Sequence, residues 1–111
     1  MSQAHAPSSE ELEVFRGYAE SFQALARQAL PLYTDTVNTL IRDECRDRHQ
    51  IEYTLDHLLD FCYDAKMLVL YKRLCRYYFP LDPEATVSYI HAYRDLWDSD
   101  SEDRESNEEA E

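Results

Sequence analysis

The chain has 111 residues, of which 44% are hydrophobic and only one is glycine, and its formal net charge is −12 at pH 7. The hydrophobic content is too high for a disordered chain, and a single glycine with four prolines supplies few of the tight turns that a hairpin sheet needs. The negative charge disfavours general binding to nucleic acid or to anionic membranes, because both attract basic surfaces.

The first predicted element is a helix that follows a flexible leader at residues 1–8. Ser8 or Ser9 can cap this helix, because a serine side chain accepts a hydrogen bond from the free backbone N–H groups of the first turn. Apolar residues then recur at alternating spacings of three and four, which predicts a packed seam. The seam consists of Leu12, Phe15, Ala19, Phe22, Ala26 and Ala29. Pro31 is expected to end this helix or to start the next one.

A second helix is predicted by an apolar stripe that runs from Tyr33 through Val37, Leu40 and Ile41 to about Cys45. The polar stretch at 46–50 follows it. A third helix is then expected over about 49–64 and a fourth over about 66–79. The sequence therefore predicts an all-α bundle of four or five helices that occupies residues 9–97.

The apolar face changes sides between the third and fourth helices, near residue 65. At ~100° per residue, the stripe of Ile51, Leu55 and Leu58 does not line up with the stripe that Leu70 and Leu74 continue. Either the helix breaks near residue 65, or one continuous helix buries opposite faces against different neighbours. The second alternative would leave a face for a partner, including a homodimer.

Residues 80–84 are the clearest boundary in the chain. Asp82 is placed to cap a helix, and Pro83 to occupy its first position. This last helix is expected to end near Trp97, with Tyr93 and Trp97 closing the bundle. Residues 98–111 contain eight acids against Arg104, a net charge of −7. Such a segment cannot bury enough apolar surface to order itself, so a disordered acidic tail is predicted.

Four acids at strict spacings of four form the main candidate site. They are Glu52, Asp56, Asp60 and Asp64. On one helix they would climb a single face at ~6 Å per step. Their charge could be balanced internally by Lys66, Lys72, Arg73 and Arg76, or by the basic surface of a partner. His49 and His57 lie nearby, but the spacings of known metal motifs are absent, so no metal ligand and no cofactor is assigned.

Six residues separate Arg42 from His49, which loosely resembles the Arg-to-His spacing of HEPN-type ribonucleases. The resemblance covers eight residues. It implies an alternative function in which His49 acts as a general acid or base beside a cationic Arg42. The acidic tail and the negative domain would repel RNA, which opposes this alternative.

The segment from Lys66 to Phe79 combines bases with aromatic residues, as nucleic-acid-binding surfaces do. Its aromatic residues lie mainly on the face away from the bases. A core helix with a charged outer strip is therefore the favoured interpretation, and direct nucleic-acid binding is disfavoured.

Cys45, Cys62 and Cys75 show no paired or metal-type spacing, so free thiols in a cytoplasmic protein are expected. No secretory signal is visible, and no stretch approaches the ~20 apolar residues that span a bilayer. The leading hypothesis is a non-enzymatic, acidic regulator or inhibitor that binds a basic site on a nucleic-acid-handling protein. It could be a phage or mobile-element protein that mimics DNA. A helical adaptor or oligomerisation protein without mimicry is the alternative.

Residues expected to be mostly buried are taken from the predicted apolar faces. They are Leu12, Phe15, Phe22, Leu55, Leu58, Cys62, Leu74, Ile90 and Tyr93.

Overall fold

Four α-helices make up the fold in a computed structural model that describes residues 8–98. They are α1 (Ser9–Arg42), α2 (Arg48–Leu59), α3 (Ala65–Tyr78) and α4 (Pro83–Trp97). No strand occurs within the described range, so the all-α prediction is confirmed. The predictions of a flexible leader and of a disordered tail fall on residues 1–7 and 99–111, which lie outside it.

Helix α1 begins with a complete capping box. The Glu11 backbone N–H donates to Ser8 Oγ at 3.2 Å, and the Ser8 backbone N–H donates to Glu11 Oε1 at 3.0 Å. Two of the free N–H groups of the first turn are thereby satisfied.

Pro31 lies inside α1, so the prediction that it separates two helices was wrong. A proline in a helix interior costs ~3 kcal/mol, because it removes one backbone hydrogen bond and crowds the preceding turn. Here the apolar stripe continues through it: Ala26 and Val37, on either side of Pro31, are both fully buried. Packing of this common face outweighs the local cost of the proline.

The C-terminal end of α1 has a glutamate, Glu44, at a position that glycine usually occupies. Glu44 has a φ of 53°, in the left-handed region. The N–H of Cys45 donates to the Leu40 carbonyl at 2.9 Å, and the N–H of Glu44 donates to the Ile41 carbonyl at 3.1 Å. This is a Schellman motif, which glycine usually completes.

The change of apolar face near residue 65 is produced by a break between two helices. Helix α2 ends at Leu59, residues 60–64 form turns, and Asp64 caps α3. Asp64 Oδ2 accepts hydrogen bonds from the backbone N–H groups of Lys66 and Met67 at 3.1 and 3.0 Å. The compact alternative is therefore the observed one, and the proposed continuous helix does not form.

Helix α3 is the centre of the bundle, because it packs against each of the other three helices. Its inner face contributes six buried residues, which are Met67, Leu70, Tyr71, Leu74, Cys75 and Tyr78. Helix α2 adds Ile51, Leu55 and Leu58. The interpretation of α3 as a core helix with a charged outer strip is confirmed.

Several residues expected in the core are exposed instead. Leu55, Leu58, Cys62 and Leu74 are buried as predicted, and Tyr93 is half-buried. Leu12, Phe15, Phe22 and Ile90 are 42–64% exposed, so their predicted burial was wrong. Leu12 and Phe15 lie on the part of α1 that extends past the shorter helices, and Phe22 lies at the edge of the bundle, where its ring is 6.0 Å from that of Tyr63.

The end of α4 is less enclosed than expected. Trp97 is 42% exposed, and its indole N–H donates to the Leu59 carbonyl oxygen at 2.9 Å. Trp97 therefore links α4 to the end of α2 at the protein surface. It is not part of the buried core. Across the described residues, none of the helices combines the length and the apolar character needed to cross a membrane.

Candidate functional site

Two of the four predicted site residues, Glu52 and Asp56, lie one turn apart on α2 and are held by tyrosines of other helices. The Tyr78 hydroxyl, on α3, donates to Glu52 Oε2 at 2.5 Å. The Tyr89 hydroxyl, on α4, donates to Asp56 Oδ1 at 2.8 Å and is 3.4 Å from the Glu52 carbonyl oxygen. Both carboxylates are thus oriented by the fold while they stay at its surface, with Glu52 partly exposed and Asp56 exposed.

Both tyrosines are held in the protonated state that such hydrogen bonds require. Burial, followed by the hydrogen bond to Asp56, raises the pKa of Tyr89 well above its ordinary value. Burial raises the pKa of Tyr78, and its hydrogen bond to Glu52 raises it further. A phenol whose neutral form is favoured remains a donor throughout the physiological range.

Arg48 connects this pair to the start of α4. Its Nη2 atom lies 2.6 Å from Oδ2 of Asp82. Asp82 also caps α4, since its Oδ1 accepts from the Ala85 backbone N–H at 3.1 Å. Contact with Tyr78, and then the charge of Asp82, raise the pKa of Arg48. The polar groups therefore join α2, α3 and α4 into one network.

The other two predicted site residues lie outside α2. Asp60 follows the last residue of α2 and is exposed, and Asp64 caps α3 after the turn. The expectation of one straight four-residue row was wrong, because α2 ends before Asp60. The carboxylate of Asp64 accepts hydrogen bonds from two backbone N–H groups of α3.

The outer surface of α2 is more mixed than an acidic row. We define the α2 outer face as His49, Glu52, Tyr53, Asp56 and His57, which together line a shallow groove of about 310 Å³. The rings of Tyr53 and His57 stack with centroids 4.3 Å apart. His57 Nδ1 lies 2.8 Å from the Tyr53 carbonyl oxygen, which orients the imidazole.

The described residues contain no group of three or more His, Cys, Asp or Glu side chains placed to hold a metal ion. The side chains of the α2 outer face supply hydrogen-bond donors and acceptors, a pair of adjacent rings and surface charge.

The basic residues of α3 do not balance the acids of α2. Arg73 donates from Nη1 to Asn38 Oδ1 on α1 at 2.8 Å. Lys72 and Arg76 border a separate groove of about 760 Å³ between α3 and α4, whose lining is mainly apolar. Within residues 8–98, no salt bridge joins these bases to Glu52, Asp56, Asp60 or Asp64. Tyrosine hydroxyls supply the contacts that internal charge pairing was expected to supply.

The two residues of the ribonuclease-like spacing lie on either side of the turn between α1 and α2. Arg42 ends α1, and its Nε atom is 3.3 Å from Oδ1 of Asp43. His49 lies in the first turn of α2, where its backbone N–H donates to Asp47 Oδ1 at 3.0 Å. Both side chains are exposed. Arg42 is therefore paired with a neighbouring acid at the surface.

The three thiols are free and differ in access. Cys62 and Cys75 are buried, whereas Cys45 is partly exposed. Burial raises the pKa of Cys62 to about 12 and that of Cys75 to about 11. A thiol held protonated in this way is a poor nucleophile.

Sequence reasoning missed the tyrosine partners of Glu52 and Asp56. They lie 26 and 33 residues further along the chain, so no local spacing connects them. The abundance of tyrosine, nine residues in the chain, was the available signal. It did not indicate which hydroxyl meets which acid.

Comparisons with protein families, with curated proteins and with solved structures found no match to this chain.

Proposed function

We propose that this protein is a non-enzymatic, acidic regulator or inhibitor that binds another protein through the α2 outer face. The expected partner carries a basic site and handles nucleic acid. The observation that carries the proposal is the orientation of Glu52 and Asp56 at the surface by the hydroxyls of Tyr78 and Tyr89. The proposal retains the cytoplasmic setting that the sequence favours.

Oriented acids suit this role for an energetic reason. A side chain that is fixed before binding loses less conformational entropy when it meets a partner. Tyr53, which is 52% exposed beside the acids, adds an aromatic ring of the kind that is enriched at protein interfaces. The net charge of −12 would also speed the encounter with a basic partner.

Recognition of a basic protein site is better supported than mimicry of DNA. Duplex DNA carries a charge every ~3.4 Å along each strand, whereas acids one helical turn apart are separated by ~6 Å. Because α2 ends at Leu59, its ordered part contributes only Glu52 and Asp56 to such a row. A phage or mobile-element DNA mimic would need acids from elsewhere in the chain or from a second copy.

The test removes charge from this face without removing hydrogen-bond acceptors. The full chain is used to capture proteins at low and at raised salt, and a captured nucleic-acid-handling protein is purified. Its affinity is then measured for the wild type and for a Glu52→Gln, Asp56→Asn double variant. The amide oxygens that replace the two carboxylates can still accept from Tyr78 and Tyr89. The matched control is Asp35→Asn with Asp95→Asn, which removes the same charge from exposed positions on α1 and α4.

We expect salt-sensitive binding that weakens at least about tenfold in the Glu52 and Asp56 variant and stays within about twofold in the control, because charge loss inside an interface costs more than loss of distant charge. Equal affinities for both double variants would contradict the proposal. RNA hydrolysis that disappears in His49→Ala would overturn its non-enzymatic part and favour the ribonuclease alternative.

A further inference from the structure

The groove between α3 and α4 is a second surface, separate from the α2 outer face. It has a volume of about 760 Å³. We define the α3/α4 groove by a buried floor, two exposed walls and a basic border. These are, in turn, Tyr71, Cys75 and Thr86; Phe79 and Ile90; Lys72 and Arg76. No residue of the α2 outer face lines this groove, so the two are distinct surfaces.

The residues that line the α3/α4 groove follow helical spacing on both of its sides. On α3 they recur in the i, i+3, i+4 pattern from Leu68 to Phe79, and on α4 they do so from Thr86 to Asp98. This is the pattern of a helix face that packs against another element. At 1.5 Å per residue, the α3 side spans ~16 Å, which is the length of three helical turns. The groove therefore has the dimensions of a docking site for a helix of about three turns.

The floor of the groove offers only apolar surface. The Tyr71 hydroxyl donates to the Tyr89 carbonyl oxygen at 2.7 Å, and the Thr86 hydroxyl donates to the Asp82 carbonyl oxygen at 2.9 Å. The polar atoms of both side chains are therefore already paired. A ligand that fills the floor must supply apolar groups, because a polar group there would lose its water without gaining a strong hydrogen-bond partner.

The walls of the groove are open to solvent. Phe79 is 50% exposed and Ile90 is 42% exposed. Thr86 is the only buried residue of α4. A pocket for a small molecule usually encloses about 70–90% of the ligand surface, whereas a helix laid in a groove keeps its outer face in water. The open walls therefore favour a helix over a small molecule.

The border of the groove is basic. Residues 65–81 contain no acid. Lys72 and Arg76 lie one turn apart on α3, both are exposed, and neither has a salt-bridge partner in the described part of the chain. Arg94 lines the α4 side, and Asp98 is the only acid among the described lining residues. The groove border therefore favours acidic side chains, although the protein as a whole is acidic.

We propose that the α3/α4 groove binds an amphipathic helix of another protein, whose apolar stripe is flanked by acidic residues. The stripe lies on the floor between Phe79 and Ile90, and the acids lie beside Lys72 and Arg76. This partner is opposite in charge to the one proposed for the α2 outer face. With two such surfaces, the protein acts as an adaptor that links an acidic helix to a basic site.

The two ends of this chain do not supply the helix. Residues 99–111 are acidic, but Ala110 is their only apolar residue. Residues 1–7 contain no acid. The occupant needs both an apolar stripe for the floor and acids for the border, so it comes from another chain.

The first test is the charge of the helices that bind. At physiological ionic strength, charges more than ~8 Å apart are largely screened, so the groove border and not the net charge of −12 should decide the preference. A display library of helical peptides, about 16 residues long with freely varied charges, is selected against the full chain. We expect peptides with an apolar stripe and a net negative charge. Selection of basic peptides alone would overturn the proposal.

The second test locates the bound peptide through the charged border. The affinity of one selected acidic peptide is measured by fluorescence anisotropy. Lys72→Glu with Arg76→Glu should weaken binding at least about tenfold, because like charges then meet at the interface. The control is Arg16→Glu with Arg27→Glu, which makes the same charge change at exposed positions of α1 and should stay within about twofold.

The third test addresses the apolar contact. Ile90 and Val87 are 42% and 41% exposed on α4, but of the two only Ile90 lines the groove. Ile90→Ser should weaken peptide binding at least about fivefold, as loss of a central apolar contact does. Val87→Ser should stay within about twofold. Circular dichroism should be unchanged in every variant.

The groove and the α2 outer face should act independently. Glu52→Gln with Asp56→Asn should bind the acidic peptide as the wild type does, so failure of the groove site and failure of the α2 site give different results. Peptide binding that survives both the Lys72 and Arg76 reversal and Ile90→Ser would overturn the proposal.

Two other occupants of the groove would give distinct results. Self-association in sedimentation velocity that is lost in Ile90→Ser would replace the partner helix with a second copy of this chain. Binding of palmitate that is lost in Ile90→Ser, with no peptide selected, would replace it with a small amphiphile. Either result would overturn the assignment of a helix from another protein.

Discussion

The Tyr78 hydroxyl lies 2.5 Å from Glu52 Oε2, and this contact joins the buried face of α3 to a surface acid of α2. The ring of Tyr78 is fully buried, whereas Glu52 is partly exposed. A carboxylate at the candidate site is therefore oriented by a residue of the core. Loss of the hydroxyl should affect both the fold and the position of the acid.

Tyr78→Phe keeps the buried ring and removes only the hydroxyl. We expect the free energy of unfolding to fall by roughly 1.5–3 kcal/mol, the usual contribution of a hydrogen bond to a charged group. Urea denaturation measures this change. Glu52→Gln, which retains an acceptor, should cost less. If the free energy of unfolding that the double variant loses equals the sum of the losses in the two single variants, the two groups are not coupled.

Core and surface positions of α1 and α3 should respond differently to truncation. Leu74→Ala removes a fully buried side chain and should cost about 2–5 kcal/mol. Phe22 is 54% exposed, so Phe22→Ala should cost clearly less in a monomeric sample. Thermal denaturation at low protein concentration makes the comparison. A loss for Phe22→Ala as large as that for Leu74→Ala would place the first half of α1 in the core.

The parts of the fold that were predicted correctly are those with local signals. Asp82 and Pro83 define the start of α4 by chemistry within one turn, and Ser8 with Glu11 defines the start of α1. The break before α3 was one of two alternatives, and Asp64 shows why it occurs: its carboxylate satisfies two N–H groups of a new helix.

The errors come from tertiary context. The proline rule at Pro31 failed because the residues on both sides of it share one buried face. The seam at Leu12 and Phe15 has the pattern of a core helix, but periodicity does not state how far the neighbouring helices reach. For the candidate site, spacing located Glu52 and Asp56 but not Tyr78 and Tyr89, since those contacts depend on how three helices pack.

Asp64 and Asp60, two acids of the predicted row, should contribute differently to the stability of the protein. Asp64→Ala removes the cap of α3 and should cost ~1 kcal/mol, within the usual range for such a loss. Asp60→Ala should change stability by less than about 0.5 kcal/mol, as exposed substitutions usually do. Chemical denaturation of both variants tests this difference. Equal losses would contradict the assignment of Asp64 as the structural member.

Glu44 offers a substitution that should stabilise the protein. Its φ of 53° disfavours any residue with a Cβ atom. Glu44→Gly should raise the free energy of unfolding by about 0.5–1 kcal/mol, because glycine adopts this conformation without steric cost. Glu44→Ala is the control, since it removes the same charge but keeps the Cβ. If the free energy of unfolding rises equally in both variants, the effect comes from the removed charge and not from the backbone conformation.

Alkaline pH should destabilise the protein through groups that the fold keeps protonated. Burial raises the pKa of Cys62 from 9.0 to about 12, and burial with the Asp56 hydrogen bond raises that of Tyr89 from 10.0. The unfolded chain loses these protons first, so the stabilisation is complete below about pH 9 and is lost as the pH rises above that value. The ceiling is about 1.4 kcal/mol per pH unit for each group, and solvent exposure lowers it for Tyr89. Melting temperatures at successive pH values, with tyrosinate absorbance as a second signal, follow the transition. Tyr89→Phe should be less stable at neutral pH and should lose less stability between pH 10 and pH 12, and a parallel decline in both proteins would exclude Tyr89 as a contributor.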